Sequence, residues 1–307
     1  MVPPGGYLWW YVDGLSDCGR YGLSVIAFVG SVFSPYYHWA GRRDPDNHVC
    51  INVALYAPEG NRWTMTERGR KATHRDALSF QVGPSQIRRD GGEIVIEFDE
   101  ISVPRPPAQW LPKRVKGTIR FSPDAVTSQV FDIDAAGTHR WWPVSPTGRI
   151  SAEFETGGEN WSGHGYMDSN WGSEPLERGF TLWDWARGRL PNGDAVIIYD
   201  TIRKDGSHGE IAIRIGTDGE VHQIEMPAKT RIANGFWGVP RSGHHDEGAK
   251  PSLSRTLEDG PFYTRSVIRT RLTGETVDMM HESLSGARFA SPVVKAMLPF
   301  RMPRRAK

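Results

Sequence analysis

Short runs of alternating apolar residues, closed off by turn dipeptides, constrain this chain more than any other feature. Ile94, Ile96 and Phe98 share one parity within Glu93–Ile101, and Ile211, Ile213 and Ile215 share one within Glu210–Ile215. A period of two places such residues on one face of a β-strand. Further short β runs read at Arg114–Phe121, Gln129–Ile133, Arg149–Phe154, Ala195–Thr201, Val221–Met226 and Tyr263–Leu272. Asp90-Gly91, Asn192-Gly193, Asp205-Gly206 and Asp218-Gly219 supply hairpin turns between runs. With 34 Gly and 22 Pro, long helices have little room. The expectation is an all-β chain built as barrels or sandwiches, with one short helix near the end, from about Ser291 to Leu298.

At 307 residues the chain is long for one β domain and comfortable for two. A soft boundary falls near residue 145, in Pro143–Pro146. It gives an N-terminal β domain over 1–145, a C-terminal β domain over 146–290 and a basic tail over 291–307. No sequence repeat relates the two halves. From Arg288 onward the chain carries Arg288, Lys295, Arg301, Arg304, Arg305 and Lys307 with no acid. Such a stretch reads either as a solvated, frayed tail or as a basic anchor on anionic membrane.

Several function classes are disfavoured. A formal net charge of +1 does not suit a protein that wraps nucleic acid through a basic field. No stretch approaches the ~20 apolar residues that span a bilayer, and Met1–Gly6 lacks the features of a secretory leader. Cys18 and Cys50 cannot make a disulfide framework or a zinc-finger set. The expectation is a soluble or peripheral protein of a reducing, cytoplasmic compartment. Neither a phosphate loop, a His-Glu-x-x-His helix nor a Gly-x-Ser-x-Gly elbow is present. His244, His245 and Asp246 sit in a Gly-rich polar stretch that reads as a solvated loop, with a metal site as the less favoured alternative because no third and fourth ligand lie nearby in the sequence. No metal and no cofactor are expected.

The chemistry concentrates between residues 139 and 185, where many of the twelve Trp gather. His139 and Trp141 share one strand parity, as do Tyr166 and Asp168, and Trp183 and Trp185. Facing together, they would wall a pocket with aromatics around one carboxyl and an imidazole. A desolvated carboxyl holds its proton and becomes a general acid. Aromatic faces stabilise a developing cation by on the order of 0.5–2 kcal/mol each. The alternative is ordinary core packing, with Asp168-Ser169-Asn170 as a turn. His164, between two glycines, reads as structural. Asp13, before Gly14, reads as a turn aspartate, with an acid role as the alternative. The aromatic block Trp9–Phe28 reads as a buried strand plus a loop at a pocket mouth.

Five segments resemble the carotenoid 1,2-hydratases, or hydroxyneurosporene synthases: Tyr7–Gly14, Ser34–Tyr37, Asn47–Tyr56, Trp63–Arg68 and Gly165–Gly172. The resemblance covers nearly the whole chain. It implies two lipocalin-like β domains, no cofactor, and addition of water to the terminal C1=C2 bond of an acyclic carotenoid. It also implies that a His-x-Trp pair, His139 and Trp141, and a Tyr-x-Asp pair, Tyr166 and Asp168, act on neighbouring strands. Asp168 would protonate C2, Trp141 and Tyr166 would stabilise the cation at C1, and His139 would orient the water. The partners implied are the acyclic carotenoid and water, with peripheral association on a membrane. Competing readings are a non-catalytic carrier of an apolar polyene and a lipocalin-like pericyclase or isomerase.

Overall fold

The structure, a computed structural model, describes residues 1–106 and 108–305. They form two compact units whose segments alternate along the chain. Unit 1 comprises Met1–Val130, Trp141–Pro175 and the chain from Ala296; unit 2 comprises Phe131–Arg140 and Leu176–Lys295. The units are therefore not two consecutive halves meeting near residue 145. The chain visits unit 2 briefly at 131–140 and returns to unit 1 for its end.

In unit 1, β1 (Tyr7–Ser16), β2 (Gly22–Val29), β3 (Val49–Tyr56) and β4 (Arg62–Met65) make one antiparallel meander. β5 (Thr73–Arg75), β6 (Ser79–Val82), β7 (Ser85–Asp90), β8 (Glu93–Ser102) and β9 (Lys113–Pro123) make another. β10 (Phe131–Asp132) pairs with β11 (His139–Ser145), which begins in unit 2 and runs into unit 1. β12 (Gly148–Thr156) and β13 (Trp161–Gly172) join the meanders, because β12 pairs with β9 and β13 with β1. Among the described residues the strand order is β4-β3-β2-β1-β13-β12-β9-β8-β7-β6-β5, with β11 also on β13.

β2 and β3 are buried at every residue. One face of each supplies Val25, Ile51 and Val53 to an apolar cluster that also holds Phe98 of β8 and Ile119 and Phe121 of β9. Strands so distant in order share a core because the sheet curls over itself. Val12 of β1 and Met167 of β13 enter the same core. Period two then turns their neighbours, Tyr11 and Asp13 on β1 and Tyr166 and Asp168 on β13, to the opposite face. That face is buried as well.

Unit 2 contains β14 (Phe180–Arg189), β15 (Ala195–Arg203), β16 (His208–Ile215), β17 (Val221–Gln223), β18 (Ala228–Ile232), β19 (Arg241–His245), β20 (Ser252–Asp259), β21 (Tyr263–Leu272) and β22 (Glu275–Ser285). Its larger sheet runs β17-β16-β15-β14-β22-β21-β20, and β18 pairs with β19. Val196, Ile198, Ile268, Leu272 and Met279 are among its core residues. All four turn dipeptides lie between paired strands, and Gly91, Gly193, Gly206 and Gly219 take positive φ there.

Two local expectations are corrected and one holds. His244 and His245 lie on β19 and are buried, because β18 pairs with that segment and Asp200 and Thr230 receive the two rings. The short helix expected from about Ser291 to Leu298 is present as Pro292–Met297 and continues as a tight turn over Leu298–Phe300. The final stretch is docked and not frayed. Lys295 is buried beside Glu177 at 3.1 Å and over the Phe289 ring, Met302 is buried, and Arg304 pairs with Glu67. Lys307 lies outside the described residues.

Candidate active site

Asp168 sits in the middle of β13 and not in a turn, since its backbone pairs with Tyr11 of β1 and the strand continues to Gly172. It is 3% exposed. Its Oδ2 accepts a 2.8 Å hydrogen bond from the Tyr166 hydroxyl and a 3.0 Å bond from Trp141 Nε1. Tyr166 reaches it because residues two apart on a strand share a face. Trp141 reaches it from β11, which pairs with β13. Both aromatic residues are fully buried.

His139 is two residues before Trp141 on β11 and is also fully buried. Its ring lies 4.8 Å from the Phe180 ring, and its backbone N–H donates to Asp134 Oδ2 at 2.9 Å. Asp134 also accepts from the backbone N–H groups of Ala136 and Thr138, which closes the β10–β11 hairpin. Arg203 pairs with Asp134 at 3.2 Å and stacks over Phe180. Burial pushes the Asp134 carboxyl up, but the backbone N–H donors and the neighbouring Arg203 guanidinium hold it below the usual carboxylate value. Asp134, Phe180 and Arg203 thus fix the backbone and ring of His139. Nothing in their spacing along the sequence marked them out.

Two further predicted residues have local partners of their own. Trp183 packs in unit 2 on Phe180 and Tyr199. His164 lies toward the other end of β13, partly exposed beside Asp17 at 3.5 Å, which suits the structural role expected of it.

Asp13 is the residue that sequence reasoning misplaced. It is fully buried in mid-strand, and its Oδ2 accepts a 2.8 Å bond from the Tyr11 hydroxyl. On the paired strands Asp13 stands opposite Tyr166, and Tyr11 opposite Asp168. The Tyr11 and Tyr166 rings meet edge to face at 6.2 Å. A signal was present, because Tyr-x-Asp is spelled twice, at Tyr11-Val12-Asp13 and Tyr166-Met167-Asp168. Gly14, read as a turn, lies inside β1 and has no room for a side chain beside Ile150.

Among the described residues, Asp200, His208 and Glu210 place one ligand atom each within 4.8 Å of one another. Asp200 is already engaged by Lys229 and by His244 at 3.4 Å, and His208 and Glu210 are exposed. The trio is in unit 2, and it lacks the closed donor set of a structural metal centre.

Chemically, the Asp168 cluster offers a buried acid oriented by two donors and flanked by aromatic surface. Residues 25–307 match the family model described as Carotenoid hydratase CrtC. The chain is 48% identical to the acyclic carotenoid 1,2-hydratase of Thiocapsa roseopersicina, over 99% of this chain and 74% of that protein. It is 46% identical to the enzyme of the same name from Rubrivivax gelatinosus, over 99% and 75%. A solved structure of an AttH candidate from Nitrosomonas europaea aligns with a TM-score of 0.61 at 15% identity, covering 91% of this chain and 92% of that one. That likeness bears on fold alone, and it agrees with the all-β, lipocalin-like build expected.

Proposed function

Because this chain belongs to the CrtC carotenoid hydratase family, we propose that it adds water across the terminal C1=C2 bond of an acyclic carotenoid, with Asp168 as the acid. The observation that carries the site assignment is the buried Asp168 carboxyl held by Tyr166 and Trp141. An isolated trisubstituted alkene is a very weak base, so its protonation is the difficult step. The Asp168 O–H bond breaks, a C–H bond forms at C2, and the π pair leaves a tertiary cation at C1. Asp168, now a carboxylate, and the π faces of Trp141 and Tyr166 stabilise that charge only once it develops. Water bonds to C1 and gives up a proton, for which His139 is the acceptor or orienting group. The product is the 1-hydroxy-1,2-dihydro compound. No carbon changes its net need for electrons from outside, so a carboxyl, an imidazole and water suffice without a redox cofactor.

The substrate dissolves in lipid, and among the described residues no helix is long and apolar enough to cross a membrane. A peripheral arrangement fits this chemistry. Phe300 is exposed, and so are Arg301 and Arg305, which follow it.

The test is incubation with lycopene or neurosporene in isotopically labelled water, reading product mass. Wild type is expected to give a product heavier by one labelled water. Asp168→Asn is expected to lose at least about a hundredfold in turnover while keeping its β-sheet circular dichroism. Pigment bound with unchanged mass would make the protein a carrier. A folded, fully active Asp168→Asn variant would remove Asp168 from the acid role.

A further inference from the structure

The Asp168 assignment leaves one difficulty, and the inference below rests on that assignment. Two hydrogen-bond donors on Oδ2 favour the ionised carboxylate, whereas an acid must keep its proton. Burial works the other way. A second buried carboxyl on the same face works the other way too, and Asp13 is placed to supply it.

The two Tyr-x-Asp segments run antiparallel on adjacent strands, with Tyr11 opposite Asp168 and Asp13 opposite Tyr166. Asp13 and Asp168 are therefore diagonal neighbours on one face, roughly 7–8 Å apart at that position in a sheet. Each carboxyl takes a hydrogen bond from the tyrosine of its own segment at 2.8 Å. The groups facing Asp13 are Tyr11 on β1, Tyr166 and Asp168 on β13, and Ser24 on β2, which bonds the Tyr56 hydroxyl of β3 at 3.3 Å. His139 and Trp141 lie on β11, beyond β13.

We infer that Asp13 is a positioning residue for catalysis, the second carboxyl of a pair that shares one proton and so keeps Asp168 protonated at neutral pH. Two anions on one buried face oppose each other's ionisation, so the first deprotonation of the pair makes the second harder. The pair holds one proton at neutral pH, and the microstate that reacts is the one with that proton on Asp168, the carboxyl beside Trp141. When Asp168 delivers its proton to C2, the pair becomes doubly anionic. Its repulsion then draws back the proton that the captured water releases, by way of His139, and the starting state returns with no net proton consumed.

The sign of the effect is fixed. Activity requires protonated Asp168, so it is present below the pKa of that group and lost above it. Asp13→Asn removes the opposing charge while keeping an acceptor for the Tyr11 hydroxyl. The apparent pKa of Asp168 then falls, and the alkaline limb of the kcat profile moves to lower pH by about one to two units. At pH 8 turnover is expected to fall roughly ten- to hundredfold, with recovery as the assay is acidified.

The experiment measures kcat against pH for wild type, Asp13→Asn and Asp168→Asn in the full chain, with neurosporene in liposomes. An unmoved limb in Asp13→Asn, or a loss equal at every pH, overturns the inference while Asp168→Asn remains dead. Activity in Asp168→Asn overturns instead the acid assignment beneath it. Should Asp13→Asn fail to fold, infrared difference spectroscopy of wild type against Asp168→Asn reads the same property without turnover. A protonated carboxyl signal at neutral pH that vanishes in Asp168→Asn supports the shared proton, and the absence of that signal in wild type refutes it. The difference cancels Asp184, a raised carboxyl that both proteins retain.

Discussion

Trp141 and Tyr166 donate to the same oxygen of Asp168, so each compensates in part for loss of the other. Trp141→Phe and Tyr166→Phe each keep a ring for the cation and remove one donor. Each is expected to lower kcat/KM about ten- to hundredfold, and the pair to show a coupling of roughly 0.5–3 kcal/mol in a double-mutant cycle. Strict additivity would mean that the two donors act on Asp168 independently. Complete inactivity of Tyr166→Phe alone would assign the phenol, and not the ring, the larger share. That Tyr166 and Asp168 share one face, as His139 and Trp141 do, was legible before the fold because residues two apart on a strand share a face, whereas the roles proposed for them came from the family resemblance. Asp13 was not legible, since a single Asp before Gly looks the same in a turn and inside a strand until its pairing partner is known.

At the scale of an element, the last segment combines two opposed sets of contacts. Arg304 reaches Glu67, which is fully buried and also 2.8 Å from His48 Nδ1, and Trp63 Nε1 donates to the Arg301 carbonyl at 3.3 Å. Phe300 and Arg305 instead face solvent. Arg304→Met strips a buried carboxylate of its guanidinium and is expected to cost roughly 2–4 kcal/mol in urea unfolding. The double variant Phe300→Ser/Arg305→Ser should leave unfolding unchanged and weaken flotation with anionic liposomes. Equal flotation of that variant and wild type would exclude this segment as the membrane contact. Composition alone could not separate the two sets of basic residues, because charge along the chain does not reveal which side chains find buried acids.

At the scale of the molecule, burying charge inside unit 2 links stability to pH. Burial pushes Asp184 up to about 7, with the Ser283 hydroxyl opposing and Asp200 adding to the rise. Its folded pKa exceeds the unfolded one, so stability is present below about pH 4 and is lost as pH rises through 7. Burial, with the charges of His244 and Arg241, pushes His281 down to about 3. There the sign reverses, and stability is gained as pH rises from about 3 to 6.5. The two slopes offset each other in wild type. Asp184→Asn removes only the first, so its stability relative to wild type should climb between pH 4 and 7, by roughly 2–4 kcal/mol in urea titrations. A gap that does not vary with pH would show Asp184 ionised throughout. What the amino-acid sequence determined unaided is local: alternation set the strands, Asp-Gly and Asn-Gly set the hairpins, and Tyr-x-Asp and His-x-Trp set which side chains travel together, since each depends on neighbours within a few residues. The tertiary structure alone decided that the chain's segments alternate between two units, that β1 lies against β13, and that Asp13 therefore joins Asp168. Strand pairing over more than 150 residues of separation is chosen by which apolar faces can be buried together, and no short stretch of chain carries that information.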